Sequence, residues 1–359
     1  EVGCGSLRLR IAFLNSWYTD RARGSGTAAA ISGLCRGLEG LGHEVELISP
    51  RIPSPGQILR RLVYNIDLMT RPLTGHFDSV VGFDIDGFLL PESVRRVVCL
   101  FGISAEEMGY ERGWPRLYLG ALSRLEGQNA RRAFRVIVPS EHSRQIAIDF
   151  YGLKPENVAV VPLGIDLNVW DSLCSSAPPR QNGRPTILSV ARQYPRKNTE
   201  LLISSMPVVL GEVPDAYLRI VGGGPMLPVL RKQVESMGLE KSVVFTGELA
   251  TDDEVRMEFF KADVFALPSL QEGFGLVFLE AMAAGLPVVA ARAAATPEVV
   301  PDGEVAILVR PGDVGALADA LIHLLKNEKL RKQMGRAGRN RVRRYSREEK
   351  SLELIGVLE

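Results

Sequence analysis

Short apolar runs alternate with helix-length amphipathic stretches along almost the whole chain, a pattern that predicts strands handing over to helices. Leu9 to Leu14 form the first run, a Gly/Ser loop follows at Arg23 to Thr27, and the apolar spacing from Ala28 to Leu41 predicts a helix. GHEVELISP, FDSVVGFD, RRVVCLFG, FRVIVPS and VAVVPLG continue the series. Such runs belong to strands covered on both faces, so the expected fold class is α/β with a parallel sheet. From Asp166 to Pro185 the pattern loosens into residues rich in Pro, Ser, Asn and Gly, as in a connector. A second series then runs through TILSVAR, AYLRIVG, SVVFTGEL, DVFALPSL, PVVAARA and VAILVRP.

Two doubly wound, Rossmann-like domains follow from that pattern, and 359 residues suit two cores better than one. The expected boundaries are 1–165 for the first domain, 166–185 for a linker and 186–340 for the second domain. Residues 341–359 are expected as a last helix packing back toward the first domain. In this architecture ligands bind at the carboxyl ends of the strands, so two such sheets are expected to face one cleft.

Charge narrows the function. A formal net charge of +1 argues against a surface built for nucleic acid. Cys4, Cys35, Cys99 and Cys174 are scattered, without metal-type or disulfide-scaffold spacing. No apolar run is long enough to span a bilayer, and EVGCGSLRLR lacks a signal-peptide pattern, so a cytoplasmic protein is expected.

The richest stretch for chemistry is LPSLQEGFGLVFLEAMAAGLPVV, from Leu267 to Val289. It reads as strand, tight loop, helix, turn, strand. Gly273 and Gly275 would let the backbone approach a ligand, and a helix starting near Gly275 would aim free N–H groups at an anion. Glu272 and Glu280 lie eight positions apart, so both carboxylates can face one ligand from about 8 to 12 Å apart. In SVARQYPRKN, Arg192 follows a strand and Lys197 precedes a helix; two fixed cations there would stabilise charge on a departing phosphate. No acidic pair is expected to bridge a metal, with Asp252 and Asp253 read as helix caps.

These motifs resemble family 4 of the retaining glycosyltransferases, which have the GT-B fold. The resemblance covers nearly the whole chain and is strongest from Ile187 to Pro311, where EGFGLxxxEAMAxGxPVV matches almost letter for letter. It implies transfer of a sugar from a nucleotide-diphosphate donor, UDP- or GDP-linked, with retention and without a metal or other cofactor. By the same resemblance Glu272 bonds the donor sugar's hydroxyls and Glu280 the ribose. Backbone amides at Phe274, Gly275 and Leu276 reach sugar and diphosphate, and Arg192 and Lys197 hold the diphosphate. FTGEL, ending at Leu249, would border the nucleobase, while Gly223 and Gly224 in IVGGGP are either donor neighbours or only a tight turn. In the first domain, Gly24 and Gly26 match a glycine-rich loop near the phosphates.

One departure stands out. Many members carry a His after the strand equivalent to RRVVCLFG, where this chain has Phe101 and Gly102; His142 is either a substitute or a plain surface residue. The acceptor is open: a sugar, a small molecule or a lipid-linked substrate. Arg, Trp114, Tyr110 and Tyr118 within residues 57–72 and 109–135 leave room for peripheral membrane contact. The competing function is a nucleotide-sugar-binding protein that has lost turnover.

Overall fold

The computed structural model describes residues 8–17, 26–52, 56–176 and 183–359. The chain divides into two compact units, Glu1–Gly164 with Arg347–Glu359, and Ile165–Ser346.

The first unit is a six-stranded parallel sheet of β1 (Arg10–Leu14), β2 (Glu44–Ile48), β3 (Ser79–Phe83), β4 (Arg96–Cys99), β5 (Arg135–Val138) and β6 (Val158–Val160), in the order β2-β1-β3-β4-β5-β6. Every residue of β3 and β4 is buried, whereas the edge strand β2 buries only Ile48. Helices on both faces require that contrast. One layer of the core joins Ile11, Phe13, Val81 and Phe83 to Leu354, Ile355 and Leu358 of the last helix, Arg347–Leu358. That helix lies against Gly26–Gly40, where a Cβ on Gly37 would collide with Ser351.

The second unit repeats the plan with β7 (Thr186–Val190), β8 (Tyr217–Val221), β9 (Val243–Gly247), β10 (Val264–Leu267), β11 (Val288–Ala291) and β12 (Ala306–Val309), ordered β12-β11-β10-β7-β8-β9 and parallel throughout. From β7 the chain winds outward through β8 and β9, then returns to the other side of β7 as β10. The loops after β7 and β10 therefore leave in opposite directions and open a crevice at the carboxyl end of the sheet. The doubly wound α/β class is as the hydrophobic pattern predicts.

Three details differ from expectation. Within the stretch expected as a linker, 166–185, a helix forms at Leu167–Ser176 and buries Trp170 edge-on to Phe259 (5.6 Å) and tilted on Phe260 (6.0 Å). One large aromatic ring outweighed the polar composition around it. The change of unit near the C-terminus comes at Ser346/Arg347 rather than at residue 341, because the helix Glu328–Val342 still belongs to the second unit. Finally, Thr251 caps the helix Asp252–Phe260 in a capping box with Glu254; Asp252 and Asp253 occupy its first turn, where their charge suits the positive helix end.

Candidate functional site

The crevice between β7 and β10 gathers most of the residues singled out by sequence. After β7, a single 3-10 turn at Pro195–Lys197 leads through Asn198, in a left-handed conformation, into the helix Thr199–Glu212. The loop after β10 is tied to that turn by Leu270 N–H donating to the Arg196 carbonyl at 2.8 Å. Lys197 Nζ consequently donates to Glu272 Oε1 at 2.5 Å, with both side chains largely buried. Burial alone would push the Glu272 carboxyl up, but the Lys197 ammonium and then the Arg196 guanidinium reverse this and hold it below the usual range. Glu272 is thus an ionised acceptor in a drained setting.

Gly275 turns the loop into the helix Leu276–Ala283 at φ +89°, and a Cβ there would stand 2.6 Å from the Phe278 ring. Left-handed backbone and ring contact both demand glycine. Phe274 anchors the loop, buried and edge-on to Tyr345 at 5.8 Å. Gly273, Leu276 and Glu280 are half-buried beside it. The Glu272 carbonyl accepts from Ala295 N–H at 3.3 Å, which brings the segment beyond β11 against the same loop.

On the other flank of β7, Arg192 pairs with Glu248 (Nη1 to Oε1, 3.7 Å), and its guanidinium lies 5.8 Å from the Tyr194 ring. Gly223 and Gly224 have a structural cause. A Cβ on Gly224 would stand 2.6 Å from Gln193 backbone N and O, and one on Gly223 would stand 2.9 Å from the Glu248 side chain. The turn after β8 presses on the strand-exit segment and holds it: Gln193 N–H donates to the Gly223 carbonyl, and Met226 N–H to the Gln193 carbonyl. Leu249 is half-buried next to Glu248. Gln193 and Glu248 were not singled out by sequence, although each lies inside a motif that was, SVARQYPRKN and FTGEL.

In the first unit, Gly24 lies outside the described residues. Gly26 opens the helix Gly26–Gly40, and a Cβ there would have no described residue within 4 Å. Phe101 packs on Phe83 at 5.6 Å, and Gly102 faces Glu107. His142 sits in the first turn of the helix Glu141–Tyr151, its Nε2 2.7 Å from Glu106 Oε1.

A second polar group escaped the sequence reading, although FDIDGF after a strand could have flagged it. Asp84, in a left-handed conformation, accepts from Trp17 Nε1 (3.1 Å) and from Arg61 (3.3 Å). Asp86 accepts from the Ser16 N–H and hydroxyl at 2.8 and 2.6 Å. Burial pushes Asp84 up to about 6, against the pull of Arg61. These carboxylates are spent on internal partners. Among the described residues no group of three or more His, Cys, Asp or Glu could hold a metal ion.

A sequence profile described as Glycosyl transferases group 1 matches residues 175–341, and one described as Glycosyltransferase Family 4 matches residues 93–169. The chain belongs to family 4 of the glycosyltransferases. Relatives include the GDP-mannose-dependent alpha-(1-6)-phosphatidylinositol monomannoside mannosyltransferase of Mycobacterium tuberculosis, 40% identical over 45% of this chain and 44% of that protein. The D-inositol 3-phosphate glycosyltransferase of Corynebacterium glutamicum is 31% identical over 62% of this chain and 56% of that one. The matches thus span about half the length of these glycosyltransferases. Among solved structures, the sucrose-phosphate synthase of Thermosynechococcus elongatus superposes with a TM-score of 0.81 over 98% of both chains at 20% identity. Anabaena HepE in complex with UDP and glucose gives 0.76 over 98% of this chain and 99% of that one, also at 20%. The chain has the GT-B fold.

Proposed function

We propose that this chain is a retaining, metal-independent glycosyltransferase that moves a hexose from a UDP- or GDP-linked donor onto an acceptor hydroxyl. The observation that carries this reading is the buried Lys197–Glu272 pair in the crevice between β7 and β10, beside the glycine-turned helix start at Gly275. Glu272, kept ionised by Lys197, is suited to accept from sugar hydroxyls, and Glu280 from ribose hydroxyls. The Gly273–Leu276 backbone offers amides to the diphosphate. As the bond from the anomeric carbon to the diphosphate oxygen breaks, Lys197 and Arg192 supply the cations that meet the growing negative charge, the part a metal would otherwise play. The acceptor oxygen bonds the same face of that carbon, and its proton passes to the departing phosphate oxygen.

The acceptor is a sugar, a small molecule or a lipid-linked compound. Two relatives are named for inositol-containing substrates, which favours a polyhydroxylated acceptor. Peripheral membrane contact has a specific support in the first unit. The helix Gln57–Leu68 exposes Ile58, Leu59, Leu62 and Ile66, followed by Met69, and the helix Gly113–Arg132 exposes Trp114 and Leu117. Arg61 and Tyr64 are buried, so the face of Gln57–Leu68 is aliphatic, whereas on Gly113–Arg132 the exposed Trp114 stands among the exposed Arg112, Arg116 and Arg124. No helix among the described residues is long and apolar enough to cross a membrane.

Calorimetric titration with UDP, GDP and ADP, with and without EDTA, tests the donor reading. Binding of one diphosphate that EDTA leaves unchanged supports it, and a strict need for added metal sinks metal independence. Slow release of nucleotide from a sugar donor without acceptor then separates an enzyme from a binding protein that has lost turnover.

A further inference from the structure

We infer that Glu248 is a counter-charge built into the donor site, one that weakens the hold of Arg192 on free nucleoside diphosphate more than on the sugar nucleotide and so favours product release. This rests on the donor-site reading above.

The two acid–base pairs around β7 are unlike. Lys197 and Glu272 meet at 2.5 Å with 13% and 7% of their side chains exposed, a contact that no ligand would readily break. Arg192 and Glu248 stand 3.7 Å apart with 40% and 47% exposed, a long pair in high dielectric. Such exposed pairs add little to the stability of a fold, so an incoming phosphate can compete for the guanidinium. The Glu248 side chain lies against Gly223. Gly223, at the turn after β8 between the two strands concerned, offers it a surface that a single Cβ would obstruct at 2.9 Å. A carboxylate is therefore seated beside the one cation of this flank that a diphosphate would use.

At the diphosphate, where Arg192 would act, substrate and product differ in charge. A sugar nucleotide is a diphosphate diester with a charge of about −2, while the released diphosphate, having a second ionisation near neutral pH, lies between about −2 and −3. Repulsion from Glu248 scales with that charge and is greater for the product. Without Glu248, Arg192 would bind both more tightly and the product most.

The test compares wild type with Glu248→Gln, which keeps the side chain's size and removes its charge, in titrations with UDP, GDP, a UDP- and a GDP-linked hexose, uridine and guanosine. The expected result is a Kd about threefold to tenfold lower for whichever diphosphate wild type binds, a smaller drop for the corresponding sugar nucleotide, an unchanged Kd for the nucleoside, and a steeper dependence on salt. An equal or larger drop for the sugar nucleotide overturns the inference. Unchanged or weaker diphosphate binding overturns the inference, since Glu248 would then be idle or would only hold Arg192 in place. A changed nucleoside affinity also overturns it, by making Glu248 a reader of the base. If wild type binds no diphosphate at all, the donor-site reading falls and takes this inference with it; if wild type binds and the variant does not differ, only this inference falls.

Discussion

Lys197 Nζ reaches Glu272 Oε1 across 75 positions of sequence, because β7 and β10, far apart in the chain, are neighbours in the sheet. Removing one member of a buried ion pair leaves its partner charged and unpaired, typically at a cost of about 3 to 5 kcal/mol. Lys197→Ala should therefore lower stability by that order. It should also depress turnover about a hundredfold or more, with a smaller change in donor affinity, if the ammonium acts on the leaving group. Single-turnover kinetics beside a donor titration would separate the two, and an unaltered rate would remove Lys197 from the chemistry.

Glu280 offers a cleaner binding test, being half-buried on the helix that Gly275 starts. Glu280→Ala should weaken nucleotide binding by about 1 to 3 kcal/mol, the usual value of a hydrogen bond to a charged group. The loss should appear with the free nucleoside as well, since the ribose is common to both. Equal affinities for variant and wild type in calorimetry would exclude it from the ribose site.

What could be read from sequence, and what could not, follows from the range of the interactions. Both sheets were legible because fully buried strands such as β3, β4, β10 and β11 show as short apolar runs. Glu272, Gly275 and Glu280 were legible because one loop and one helix carry them all. Glu248 was not, since its pairing with Arg192 depends on which strands adjoin β7, and strand order leaves no local mark. Asp84 and Asp86 went unread because their partner, Arg61, comes from the separate helix Gln57–Leu68. Trp170 was lost in a stretch whose composition spoke for a linker.

Acidic residues buried in the first unit make its stability depend on pH. Burial, and then the charge of Asp84, push Glu126 up to about 8, although its carboxylate accepts from the Ser104 hydroxyl at 2.6 Å and from the Tyr151 hydroxyl at 2.7 Å. Asp84 is raised to about 6. A raised carboxyl means that the folded state holds protons the unfolded chain has released. The stability this lends is complete below the unfolded value near 4 and is lost as pH rises through 6 and then 8. Thermal unfolding should therefore show a midpoint that falls between pH 5 and pH 9, and Glu126→Gln, which cannot ionise, should flatten the upper part of that fall. A midpoint that rises over this range, or a variant with the wild-type slope, would contradict the assignment.

Gly275 and Gly26 were both read as glycines near the donor, yet the structure gives them opposite reasons to be glycine. At Gly275, φ is +89° and a side chain would strike the Phe278 ring. Gly275→Ala must then strain the backbone by about 1 to 2 kcal/mol and also displace a core ring or the helix start, so stability and diphosphate binding should fall together. At Gly26 no described residue comes within 4 Å of a Cβ, and the position is helical, where Ala is ordinarily favoured by up to about 1 kcal/mol. Gly26→Ala should leave the unfolding midpoint unchanged or raise it. Loss of nucleotide affinity with an unchanged midpoint would then report close approach by the ligand itself. Full affinity in Gly26→Ala would take the glycine out of the donor site and leave it as the start of a helix.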